Sequence, residues 1–199
     1  MKTLLLTGFE PFLEFPINPT EQIVKQLDGL TVGEYQIKGL LLPVTYEEAG
    51  QRVLDAIKQV HPDAVISLGL AGGRASITPE RIAINCRDGA PDNNGVVLND
   101  APIYEDGPDG YFSKLPIRKF VETLKDNGYP AEISNTAGTY LCNNVMYTAL
   151  HALKDQSIPA GFVHIPASHE LAVKQKKTSP SWSSHDLLEA VKLMIHVLD

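Results

Sequence analysis

Two cysteines, Cys86 and Cys142, are all that this 199-residue sequence contains. They are too few for a disulfide framework, and too few for a zinc site without help from histidine. Reduced thiols in a cytoplasmic protein are the expectation. No apolar stretch approaches the ~20 residues that a bilayer-spanning helix needs, so no membrane partner is expected. Positive charge is also scarce: 17 Lys and Arg stand against 24 Asp and Glu, a formal net charge of −7. That balance argues against nucleic acid. The one basic run, Lys174-Gln175-Lys176-Lys177, reads as a solvated turn. The start of the sequence, Met1-Lys2-Thr3-Leu4-Leu5-Leu6-Thr7, has too short an apolar run for a signal peptide and reads as a first strand.

What is present is ordinary globular composition, 43% hydrophobic and 21% charged, at a length suited to one domain over residues 1–199. Strand-like and helix-like patterns alternate, which predicts an α/β fold: a mixed twisted sheet flanked by helices on both faces. Leu4–Thr7 is followed by Asn18 as an N-cap, Pro19 at the first helical position, and Ile23, Val24 and Leu27 on one face. Ile37–Val44 makes a second strand. Thr45 and Glu48 are spaced as a capping box before a helix that His61-Pro62 ends, and Ala64–Leu68 is a buried strand. From Gly89 to Gly110 the chain is rich in Gly, Pro, Asp and Asn, an irregular excursion placed to cover a site. A helix from Pro116 to Gly128 and a last helix opened by Ser183 and Asp186 complete the pattern.

Chemistry concentrates in three places. Ser134-Asn135-Thr136-Ala137-Gly138-Thr139-Tyr140-Leu141-Cys142-Asn143-Asn144 reads as a strand passing through a small-residue turn into a helix, because Val145, Met146, Ala149, Leu150 and Leu153 recur at helical spacing. Cys142 then sits in the first turn, where free N–H groups and the helix dipole favour a thiolate and can bind an oxyanion. Its competing role is that of a small buried hydrophobe. Gly161-Phe162-Val163-His164-Ile165-Pro166 reads as a buried strand with His164 near its C-terminal end, a general base or else a core histidine. Thr78-Pro79-Glu80-Arg81 puts a carboxylate at the head of a strand, either an orienting acid or a surface partner of Arg81. Together they supply a thiol hydrolase: Cys142 as nucleophile, His164 as base and then acid, Glu80 as the group that orients the imidazole.

These residues stand in blocks that resemble pyroglutamyl peptidases of the first, cysteine-dependent type. The blocks are Thr7-Gly8-Phe9-Glu10-Pro11-Phe12 with Asn18-Pro19, Gly69 through Asn85, Ser134 through Asn143, and Gly161 through Pro166. The resemblance implies removal of an N-terminal pyroglutamyl residue from peptides through a thioester on Cys142, with no cofactor and no metal. It implies Cys142, His164 and Glu80 as catalytic residues, Phe9, Phe12, Thr45, Tyr140 and Leu141 lining the lactam pocket, and a homotetramer as in many relatives. Without it, Phe9 and Phe12 read as ordinary core packing.

Three departures from that pattern stand out. Leu13-Glu14 replaces the two glycines that commonly follow the Pro-Phe pair, and Leu70 replaces a glutamine found in some relatives. Cys86-Arg87-Asp88-Gly89-Ala90 is one residue shorter than the usual run and lacks its arginine, which is linked to the oxyanion site, so either Arg87 takes over or the rate suffers. Two other classes compete. A metal hydrolase using His164 and His169 has an i, i+5 pair astride Pro166, which does not share a helix face. A non-catalytic binding module would hold an anion on Gly69-Leu70-Ala71-Gly72-Gly73-Arg74, which lacks both a Walker lysine and Gly-x-Gly-x-x-Gly spacing.

Overall fold

The computed structural model describes residues 1–12, 15–175 and 178–198; the departure at Leu13-Glu14 and the lysines Lys176 and Lys177 lie outside them. In chain order the elements are β1 (Lys2–Phe9), α1 (Pro19–Leu27), β2 (Thr31–Val32), β3 (Tyr35–Leu42), α2 (Tyr46–Val60), β4 (Ala64–Leu70), β5 (Thr78–Pro79), β6 (Ile82–Ile84), β7 (Gly110–Phe112) and α3 (Ile117–Asp126). They continue with α4 (Leu141–Ala152), β8 (Ala160–Ile165), β9 (Ala167–Ser168), α5 (His169–Ala172), β10 (Ser181–Trp182) and α6 (Ser184–His196).

The main sheet runs β2-β3-β1-β4-β8-β5. Its four central strands are parallel, and the two short edge strands are antiparallel to their neighbours. Pro79, which cannot donate to a ladder, falls on the edge. Because side chains alternate along a strand, each central strand feeds two cores. Leu4, Leu6, Ile66, Leu68, Val163 and Ile165 face α1, α3 and α6. Leu5, Phe9, Val65 and Phe162 face α2 and α4. Helices therefore cover both faces, as the alternating pattern predicted.

Local caps start three of the six described helices, α1, α5 and α6. The Asn18 side chain accepts from the Thr20 N–H with Pro19 behind it, and Ser183 accepts from the Asp186 N–H. The predicted capping box at Thr45 and Glu48 does not form. Glu48 pairs with Arg52 one turn on, and the Tyr46 N–H is capped from a distance by Asp92 at 2.9 Å. The stretch before α4 is also less regular than predicted. Only single bridges, Ile77 to Ala131 and Glu80 to Ser134, mark the expected strand, because Thr136 and Gly138 bend the chain with their own turn bonds.

The chain order places a switch point between β1 and β4, since β1 has β3 on one side and β4 on the other. In open parallel sheets that crevice, outside the carboxyl ends of the strands, is where sites form. Phe9, Gly69, Leu70 and His164 all stand there.

Candidate active site

Cys142 occupies the first turn of α4, which begins at Leu141 after Tyr140. Among the described residues no side chain caps this helix, and its first backbone bond runs from the Asn144 N–H to the Tyr140 carbonyl at 3.0 Å. The N–H groups of Leu141, Cys142 and Asn143 therefore precede the helical ladder, and with the dipole they form an anion-binding end. The thiol is partly buried on the α4 face of the sheet. Gly69 on β4 makes room for it: a methyl at that position would lie 3.0 Å from Cys142 Sγ and 2.6 Å from two carbons of the Phe162 ring.

His164 is next to last in β8 and pairs in register with Gly69 across the ladder. Its Nδ1 stands 2.7 Å from Oε1 of Glu80, which leaves Nε2 for the thiol. Burial alone would push the His164 imidazole down, but an ionised Cys142 sulfur and the Glu80 carboxylate both favour its charged form. The net result is a pKa raised to about 9.

Glu80 lies in the turn between β5 and β6, fixed by its own N–H to the Phe162 carbonyl and by the bridge to Ser134. It is fully buried, so it is not the surface residue that its neighbour Arg81 suggested. Arg81 instead binds Asn135. The cation that reaches Glu80 is Arg74, at 2.9 Å from the same Oε1. The sequence had offered Arg74 only as part of an anion cradle; its side chain points inward to Thr78 and Glu80.

Beside the sulfur is a small pocket lined by Phe9, Phe12, Asn18, Val44, Leu70, Tyr140, Leu141 and Cys142, with roughly 260 Å³ of empty space that is partly open to solvent. Four of the five expected pocket residues, Phe9, Phe12, Tyr140 and Leu141, are on this wall. Thr45 is not; its neighbour Val44 is, and the Thr45 hydroxyl is buried with no hydrogen-bond partner among the described residues. Leu70 packs with Ala167, Leu171, Phe12 and Phe15 as an apolar side of the pocket. A larger cavity, with about 930 Å³ of empty space between the C-terminal ends of α2 and α4, holds none of these residues.

The irregular excursion ties the pocket walls together. Tyr140 donates its hydroxyl to the Pro91 carbonyl, Thr139 donates to the Asp88 carbonyl, and Asp92 holds the start of α2 together with the N–H groups of Asn94 and Val96. Tyr46 and Tyr140 meet edge to face at 5.5 Å. Burial, with help from nearby Asp92, pushes both phenols up to about 12, so they remain neutral. Arg87 does not turn toward the sulfur: both Nε and Nη2 donate to the Pro102 carbonyl. Cys86 is kept as a thiol, its pKa raised by burial and by Asp100 and Asp88. His169 leans on Ser181, away from His164.

Asn143 and Asp92 were missed as site-building residues. Asn143 follows the nucleophile directly, and only the partner segment 84–86, distant in sequence, reveals its task. Asp92 lies inside a run dense in Gly, Pro, Asp and Asn, where any carboxylate looks like a turn residue.

Comparison with known proteins bears on the family and the fold. Residues 1–199 match the family described as pyroglutamyl peptidase. The chain is 53% identical to a pyrrolidone-carboxylate peptidase of Oceanobacillus iheyensis, with all of both chains covered. It is 50% identical to one of Halalkalibacterium halodurans, over 98% of each. Its fold superposes on a pyrrolidone carboxyl peptidase structure from Thermococcus litoralis with a TM-score of 0.96 at 41% identity, covering 100% of this chain and 93% of that one.

Proposed function

This chain belongs to the pyroglutamyl peptidase family, and on that premise we propose that it removes N-terminal pyroglutamyl residues from peptides with Cys142 as nucleophile, His164 as acid and base, and Glu80 as the orienting acid. The observation that carries the proposal is the buried Glu80–His164 contact at 2.7 Å, set beside a partly buried thiol at an uncapped helix N-terminus.

The thiolate attacks the pyroglutamyl carbonyl carbon, and the oxyanion turns toward the free N–H groups at the start of α4. The carbon–nitrogen bond to the next residue breaks as His164 gives its proton to the leaving amine. A thioester remains on Cys142. Water then attacks it, passing a proton to His164, and the carbon–sulfur bond breaks to restore thiolate and imidazolium. Throughout, Glu80 holds Nδ1 so that Nε2 faces the reacting atoms.

The lactam carries no free amine, which suits an apolar pocket of Phe9, Phe12, Tyr140 and Leu141 with few polar groups. Thr45 stands behind this wall, its buried hydroxyl without a hydrogen-bond partner among the described residues, and it is proposed as a contact of the ring amide on the resemblance alone. A cytoplasmic homotetramer is part of the same proposal. Its support is coarser: among the described residues no helix is long and apolar enough to cross a membrane, and Ile84, Val96, Val97 and Phe112 present exposed apolar surface.

The test is release of a chromogenic amine from a pyroglutamyl amide, with a proline amide as control substrate and Cys142→Ala beside the wild type. Cleavage of the lactam substrate alone, lost in Cys142→Ala, is expected. Turnover retained by Cys142→Ala would overturn the assignment of the nucleophile, and an inactive wild type that is reduced and folded would overturn the activity.

A further inference from the structure

We propose that Arg74 is a positioning residue of the thiol site, whose guanidinium grips the Glu80 oxygen that orients His164 and balances the buried negative charge left when His164 gives up its proton. The inference rests on the Cys142, His164 and Glu80 assignment above.

Glu80 is fully buried, yet its two oxygens are used unequally. Oε1 carries both contacts, 2.7 Å to His164 Nδ1 and 2.9 Å to Arg74 Nη1. Oε2 is buried with no hydrogen-bond partner among the described residues. The Arg74 nitrogen that meets Oε1 also donates to the Thr78 hydroxyl, so the head of the side chain is fixed on the inner side while 35% of it is exposed. The ionisable groups facing the His164 ring are Glu80 from the turn after β5 and Cys142 from α4; Tyr140, ahead of α4, faces Cys142. The Phe162 ring, 4.9 Å away, packs against the imidazole as a neutral neighbour.

The charge on this small cluster changes during turnover. While His164 is an imidazolium, it neutralises Glu80 itself. Once the proton passes to the leaving amine, Glu80 faces a neutral imidazole from a site without solvent, a strongly disfavoured arrangement for a lone carboxylate. Arg74 is the cation present at that moment. A fixed positive charge beside the Glu80–His164 couple also weakens its hold on the shared proton, making the imidazolium a better acid toward the amine. Removing Arg74 should therefore raise the proton affinity of the couple.

The experiment compares wild type, Arg74→Met, Arg74→Lys, Glu80→Gln and the Arg74→Met/Glu80→Gln double variant. It follows kcat, KM and the pH dependence of kcat/KM on a pyroglutamyl amide, together with the pH dependence of Cys142 alkylation by iodoacetamide. Arg74→Met is expected to lower kcat by about tenfold or more with little change in KM, and to move the alkaline limb to higher pH by about one unit. Arg74→Lys should keep the wild-type limb and most of kcat. In the Glu80→Gln background, Arg74→Met should add little to the loss. If Arg74→Met does not fold, Arg74→Gln takes its place in the same comparison. A limb that stays put in a folded Arg74 variant, or an equal loss on the Glu80→Gln background, overturns the role. The two assignments fail differently: if Glu80→Gln also leaves both profiles unmoved, the orienting acid is wrong, whereas a limb moved by Glu80→Gln and untouched by Arg74→Met rejects Arg74 alone.

Discussion

Asn143 meets Ile84 as one strand meets another: its Oδ1 accepts the Ile84 N–H at 2.9 Å, and its Nδ2 donates to the Ile84 carbonyl at 2.8 Å. A further bond from Nδ2 reaches the Cys86 carbonyl at 2.9 Å. The residue after the nucleophile thus locks the start of α4 to the end of β6, and the sulfur inherits its position from that lock. Asn143 itself is fully buried, so these groups have little water to fall back on.

Asn143→Ala is expected to lose three hydrogen bonds and to destabilise the fold by about 2–4 kcal/mol, with kcat reduced through displacement of Cys142. Urea unfolding read beside single-turnover kinetics is the check. A variant as stable and as active as wild type would show that the lock is dispensable.

The pH dependence follows from the sign of the His164 shift. Its pKa is raised to about 9, so the imidazolium persists through neutral pH and is lost as pH climbs past that value. We expect kcat/KM to fall near pH 9 as the imidazolium is lost. Glu80→Gln removes an anion from the ring, so the falling limb should move to lower pH, and the loss should be smaller than for His164→Ala. A flat profile would contradict the shift of His164.

Gly69→Ala tests how tightly the nucleophile is packed. The added methyl would sit 2.6 Å from Phe162 ring carbons and 3.0 Å from Cys142 Sγ, distances that force a shift of the buried ring. A cost of about 1–3 kcal/mol in stability is expected, with a fall in kcat and a slower reaction of Cys142 with iodoacetamide. Thermal unfolding and alkylation at unchanged rates would mean that the ring and sulfur have slack.

Thr45→Val separates a substrate contact from a structural one. The hydroxyl is buried without a partner among the described residues, so its removal at nearly constant volume should leave stability unchanged or slightly higher. If the hydroxyl serves the lactam amide, KM for the pyroglutamyl amide should rise about five- to tenfold with kcat nearly constant. An unaltered KM would mean that Thr45 makes no contact with the substrate.

The sequence by itself determined features whose causes are local. Asn18-Pro19 and Ser183 carry their helix caps within three residues of the groups they satisfy. The apolar spacing after Cys142 is enough to put that thiol in a first turn, and the run ending His164-Ile165-Pro166 is enough to end a buried strand there. Tertiary structure alone decided which charges meet. Arg81 is adjacent to Glu80 but points elsewhere, while His164, 84 residues away, is its partner. Thr45 and Glu48 had the spacing of a capping box, but the N–H of Tyr46 went to Asp92, 46 residues on. The physical reason is common to both cases. A buried carboxylate or N–H takes whichever partner the packing brings within about 3 Å, and in a sheet of crossover connections that neighbour comes from a distant part of the chain.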